Sequence, residues 1–115
     1  MRMLVAVLGV TLVLGACQSS GSAGGGGDGT IAVSLKEWAI EPKEIRATGG
    51  AVTIRVKNVG NLEHDFVIVG AGKIDSLLAS ETKTLQVQLA PGTYKVLCDL
   101  PGHSEAGMTG TLVVR

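Results

Sequence analysis

Aromatic side chains are almost missing: the 115 residues hold one Trp, one Tyr and one Phe. A core must then be assembled from Val, Ile, Leu and Ala, and the β-branched members of that set favour strands. Excess charge is missing too. Ten Lys and Arg match ten Asp and Glu, which leaves no basic field of the kind that nucleic acid requires, so no polynucleotide partner is expected. The chain is too short for two domains, each of which needs on the order of 100 residues. Its main apolar run, residues 3–14 with interruptions at Gly9 and Thr11, is too short to cross a bilayer. Thiols and imidazoles are scarce, with two Cys and two His.

Residues 1–16 read as an export signal: a charged start at Arg2, the apolar run, then the small residues Gly15 and Ala16. Leu14-Gly15-Ala16-Cys17 resembles the lipobox of bacterial lipoproteins, in which the signal is cut before a Cys that carries the lipid. An ordinary signal peptide followed by a stray Cys is the alternative. Residues 17–29 then comprise a lipidated Cys17 and the tract QSSGSAGGGGDG, small and polar with no apolar period, which predicts a flexible tether. A tract of this length spans roughly 20 Å on root-mean-square average. The expected location is extracytoplasmic, periplasmic or at the cell surface, anchored to a membrane by lipid. Exported cysteines ordinarily pair. With Cys17 acylated, Cys98 has no partner, and metal ligation would explain a lone thiol in an oxidising compartment.

Residues 30–115 should form the folded domain. Ile31, Val33 and Leu35 alternate with polar or small residues, as do Val52, Ile54 and Val56 and then Leu85, Val87 and Leu89. Ala90-Pro91-Gly92 signals a turn and, with the run at 93–98, a β-hairpin. Turn residues recur at 48–50, 58–61, 70–72 and 101–102. The expectation is an all-β Greek-key β-sandwich of about 7–8 strands. Residues 73–80 are ambiguous, because Ile74, Leu77 and Leu78 also fit a helical turn.

Strand parity sorts the chemically distinctive residues. His64 shares the parity of Phe66 and Ile68, Cys98 that of Tyr94 and Val96, and Met108 that of Leu112 and Val114. All three donors therefore face inward at strand ends. His103 lies in the turn that follows Cys98, where Pro101 and Gly102 sharpen the chain so that the imidazole can swing back towards the sulfur. Each residue alone has a plainer reading: a small buried hydrophobe for Cys98, core filling for Met108, a hydrogen-bonded structural side chain for either His. Yet these are the only His, the only Cys beyond residue 17 and the only Met beyond residue 3. Two imidazoles, a thiolate and a thioether form the donor set of blue-copper electron-transfer sites, in which a compromise geometry serves both Cu(I) and Cu(II).

The tail CDLPGHSEAGMTGTLVV resembles the ligand loop of the cupredoxins, with the pattern C-x4-H-x4-M followed by G-x-L-x-V. Its C-x4-H step is similar to azurin and its H-x4-M step to auracyanin, while NVGNLEHDFVIVG resembles the segment around the family's first His ligand. The resemblance covers roughly residues 31–115. It implies a single copper ion, cycling between Cu(I) and Cu(II), with His64 and His103 as equatorial nitrogens, Cys98 as the equatorial thiolate and Met108 as the long axial ligand. Where many relatives have Asn after the first His, this chain has Asp65, which can brace the Cys98 loop only by accepting hydrogen bonds. The N–H groups of Asp65 and Leu100 are expected to reach the Cys98 sulfur and raise the potential. With Glu63 where azurin has Gly, no axial carbonyl is expected.

The resemblance also implies an electron exit at the edge of His103, within an apolar collar of Leu62, Leu100, Pro101 and Ala106. Glu63, Asp65, Asp99 and Glu105 flank this pole and, if exposed, would steer a basic partner. The resulting expectation is a monomeric, membrane-tethered one-electron carrier with transient redox partners, not an enzyme. No oxyanion site or oriented base accompanies the thiol, and multicopper chemistry lacks its further His ligands. A lipoprotein for copper sequestration or delivery is the alternative.

Overall fold

The computed structural model describes residues 29–115. The expected export signal, Cys17 and the tether up to residue 28 lie outside the described residues. Nine strands follow in order: β1 (Ile31–Lys36), β2 (Ala39–Glu41), β3 (Glu44–Ala47), β4 (Gly50–Asn58), β5 (His64–Ile68), β6 (Gly72–Leu77), β7 (Thr82–Leu89), β8 (Gly92–Leu97) and β9 (Thr109–Val114). They form two sheets, ordered β2-β1-β4-β7 and β3-β9-β8-β5-β6. The all-β sandwich is as expected. Both sheets are mixed, since β1 runs parallel to β4 and β3 parallel to β9.

The inward residues read from alternation are the ones that pack. Val33, Leu35, Val52, Ile54 and Val56 from one sheet form a single buried cluster with Phe66, Ile68, Val96, Leu112 and Val114 from the other. Each such side chain stabilises the fold by roughly 1.5–3 kcal/mol before entropy is counted.

Three expectations need correction. Among the described residues nine strands are present rather than about seven or eight, because β2 and β3 span only three and four residues, too few to display alternation. The ambiguous segment is largely strand: β6 buries Ile74 and Leu77, three residues apart. A bulge explains that spacing, since His64 pairs with Leu77 and Phe66 with Ile74, so β6 carries one extra residue, and Ser76 takes φ 51° there. An extra residue in a strand thus imitated a helical period. Finally, Ala90-Pro91-Gly92 does not close a hairpin. β7 pairs with β4, whereas β8 pairs with β5 and β9, so this turn carries the chain from one sheet to the other.

One buried polar side chain organises the loop that leads to β5. Asn58, fully buried, donates from Nδ2 to the carbonyls of Leu62 at 2.7 Å and Leu77 at 2.9 Å, and its Oδ1 accepts from the Gly60 N–H at 2.9 Å. Asn58→Leu strands all three backbone groups. Urea unfolding is expected to show a loss of about 2–4 kcal/mol, since each unpaired buried group costs about 1–3 kcal/mol.

Candidate metal centre

The β8–β9 ladder ends at Leu97 opposite Thr109, and the chain continues in register. The Cys98 N–H donates to the Met108 carbonyl at 3.1 Å, so residues 98 and 108 lie side by side at one pole of the sandwich. Both side chains are fully buried. Between them the loop folds back on itself: the His103 N–H donates to the Leu100 carbonyl, and the Met108 N–H to the His103 carbonyl, both at 3.1 Å. Gly102 supplies the sharp bend, at φ 81°.

His64 arrives from β5, which pairs with β8 and enters the same pole. Its ring is fully buried, and its Nδ1 lies 3.2 Å from Nδ1 of His103. The Cys98 Sγ is 3.5 Å from that same His103 nitrogen. One donor atom from each of His64, Cys98 and His103 thus falls within 4.8 Å of the other two. Among the described residues no other group of His, Cys, Asp or Glu gathers in this way.

The sulfur is held from the backbone. The Asp65 N–H donates to Sγ at 3.4 Å, and the Leu100 N–H also favours the thiolate. Burial nevertheless pushes the Cys98 thiol above its ordinary value. A bound cation, displacing the thiol proton to solvent, would reverse that balance.

Asp65 does brace the Cys98 loop, and by acceptance: its Oδ1 takes the Asp99 N–H at 2.7 Å. Burial raises the Asp65 carboxyl, whereas Asp99 is held low by its bond to Asp65 and by Lys73. Lys73 sits among Asp75 at 3.0 Å, Asp99 at 3.1 Å and Asp65 at 3.5 Å, and these carboxylates push its ammonium up. The expected ring of steering carboxylates is therefore smaller than supposed. Asp65 is buried and Asp99 is engaged by Lys73, which leaves Glu63 and Glu105, the latter accepting from the Ser104 hydroxyl at 3.2 Å, as the exposed acids of the set outside the Lys73 cluster.

Two neighbours of the centre were not apparent from the sequence. Glu37, just beyond β1, accepts from Nε2 of His64 at 2.9 Å and from the backbone N–H groups of Leu62 and Asn61 at 2.9 and 3.0 Å. The hydrogen bonds from Leu62 and Asn61 lower this carboxyl to about 2, so it stays ionised. A carboxylate can only accept, so Nε2–H of His64 donates to Glu37, and Nδ1 is the ring atom left facing Nδ1 of His103. Trp38, the only Trp, stands edge-on to His103 with ring centroids 4.9 Å apart and to His64 at 6.4 Å. No spacing rule links residues 37 and 38 to either imidazole; the charged and aromatic pair closing a strand was the only signal.

Of the expected collar, Leu62, Pro101 and Ala106 are exposed and Leu100 is half-buried, as is His103 itself. Trp38 joins them, 42% exposed beside Leu62 at 46%.

Comparison with known proteins agrees with this fold. Residues 4–114 match the family described as the cupredoxin-like domain. The chain is similar to a dithionite-reduced auracyanin from Roseiflexus castenholzii, with 25% identity and a TM-score of 0.69, over 76% of this chain and 97% of that one. It is also similar to auracyanin A, a blue copper protein of Chloroflexus aurantiacus, with 25% identity and a TM-score of 0.67, over 75% of this chain and 98% of that one. Auracyanin B, 23% identical, shares the fold with a TM-score of 0.67, over 75% of this chain and 88% of that one. The curated proteins contain no match. The family match runs from residue 4 to residue 114, most of the chain, and the strand order is that of an all-β sandwich: the chain belongs to the cupredoxin-like family.

Proposed function

We propose that this protein is a one-electron carrier that holds a single copper ion on Nδ1 of His64, Nδ1 of His103, Sγ of Cys98 and the thioether of Met108. The observation that carries the reading is the convergence of a thiol and two imidazole nitrogens within 4.8 Å, fully or partly shielded from water. The donor set fits: thiolate and thioether suit Cu(I), and imidazole suits either oxidation state. Bound copper would supply the Cu(II)/Cu(I) couple. The protein's part is to keep the donors in place as charge changes, which the ladder-pinned loop of residues 98–108 and the Asp65 brace support.

Electrons would enter and leave at the half-buried edge of His103. Trp38, Leu62, Leu100, Pro101 and Ala106, exposed or half-buried, would form the apolar surface there from which a partner can expel water. A patch of this kind suits brief encounters with a redox protein, and Glu63 and Glu105 would favour a partner with basic rim residues. The test is the visible spectrum of the copper-loaded protein. An intense blue band that ascorbate bleaches and air or ferricyanide restores, with copper retained through the cycle, is expected. Quantitative loss of Cu(I) to a chelator during one cycle would favour copper delivery instead.

The proposal extends to placement: residues 1–16 as a lipoprotein signal, 17–29 as lipidated Cys17 and tether, and 30–115 as a monomeric domain working outside the cytoplasm. The support is the Leu14-Gly15-Ala16-Cys17 sequence and the small polar tract after it. Cys17→Ser is expected to abolish incorporation of labelled fatty acid and to move the protein from the membrane to the soluble fraction. Unchanged membrane association would refute the anchor.

A further inference from the structure

The segment that leaves β1 touches both imidazoles of the centre, Glu37 on His64 and Trp38 on His103. Resting on the copper reading above, we propose that Glu37 is a positioning residue that orients His64 and lowers the reduction potential of the centre by holding the remote nitrogen of that imidazole with a carboxylate.

The grip on this side chain is tight and has its own cradle. Oε1 accepts from His64 Nε2, Leu62 N–H and Asn61 N–H at 2.9, 2.9 and 3.0 Å, and Oε2 accepts again from Asn61 at 3.1 Å. The side chain is 22% exposed. Gly60 makes the space: a Cβ at that position would overlap Oε1 and lie 2.8 Å from both Cδ and Oε2 of Glu37. The loop itself is fixed to β1, because the Val59 N–H donates to the Leu35 carbonyl at 2.8 Å. One carboxylate therefore joins the end of β1, the loop of residues 59–62 and the buried imidazole at the start of β5.

Two consequences follow for the ligand. Donation of Nε2–H to Glu37 fixes the tautomer, leaving the Nδ1 lone pair on the side of His103, where the donor atoms of His64, Cys98 and His103 gather. A negative charge on the far nitrogen also makes Nδ1 a stronger donor. Stronger donation stabilises Cu(II) more than Cu(I), since the oxidised ion carries one more positive charge, and so lowers the potential. A carbonyl or amide acceptor would give the orientation without the charge.

The experiment separates orientation from charge. In Glu37→Gln the amide oxygen can still accept from Nε2, so the blue band should persist while the equilibrium shifts about tenfold towards the reduced form, about 59 mV upward for one electron in voltammetry. Gly60→Ala, which evicts the carboxylate, should raise the potential likewise. Added to Glu37→Ala, it should have no further effect, the non-additivity expected of residues acting through one contact. An unchanged or lowered potential in Glu37→Gln overturns the proposal, as does full additivity of Glu37→Ala and Gly60→Ala. A metal-free readout keeps this distinct from the copper reading: ring 15N NMR should show His64 as the Nε2–H tautomer in the apoprotein and a mixture of tautomers in Glu37→Ala. If the mixture already exists in the unaltered apoprotein, Glu37 does not position the ring. If the tautomer result holds but no copper spectrum forms, the copper reading fails and the positioning role stands.

Discussion

Cys98→Ser is expected to remove the intense blue absorption of the copper-loaded protein entirely while leaving the fold in place. The band requires a thiolate as electron donor to Cu(II), and a serine hydroxyl is too hard a donor and too weak an acid to replace it. Serine is close to cysteine in size. In the buried site it can still accept the Asp65 N–H that now reaches Sγ at 3.4 Å, and it can donate to His103, so the loss of stability should stay near about 1–2 kcal/mol. Circular dichroism should be unchanged, and His64 and His103 should keep weak Cu(II) affinity. A blue band surviving in this variant would refute Cys98 as the thiolate.

Met108→Leu is expected to retain copper and colour but shift the centre towards Cu(I), by about tenfold or more, about 59 mV per decade for one electron. Met108 is fully buried, and its backbone is locked to Cys98 and His103 by two hydrogen bonds of 3.1 Å. Leucine fills nearly the same volume, so packing should change by less than about 1.5 kcal/mol. On the proposed ligation, what would be lost is a weak axial donor, and its removal disfavours the ion that needs more donation, Cu(II). An unchanged or lowered potential would argue against axial ligation. Together with Glu37→Gln, this variant probes the centre from opposite ends: one removes a direct donor, the other weakens a donor through its far nitrogen.

Much of the centre was legible in order and parity. Cys98 and Met108 lie just beyond a ladder whose alternation was visible in Tyr94, Val96, Leu112 and Val114, so the register that brings them side by side follows from the pattern of buried residues. The Asp65 brace was legible in its chemistry, since a carboxylate can only accept, but not in its burial, which breaks the alternation of β5 beside the bulge in its pairing with β6. That bulge also hid β6. The turn at Ala90-Pro91-Gly92 looked like a hairpin because a tight turn carries no mark of which sheet receives the next strand.

By itself, then, the order of residues determined that the chain alternates, that its core is aliphatic and that thiol, thioether and imidazoles recur at ligand spacing, because these depend on neighbours within a strand or loop. Tertiary structure alone decided that Glu37 seats on His64 in the space left by Gly60, and that Trp38 stands beside His103. Those contacts join residues far apart in sequence, Glu37 and His64 being separated by 27 positions. They exist only because the end of β1, the loop before β5 and the loop after β8 are brought to one pole when the two sheets bury their apolar faces against each other.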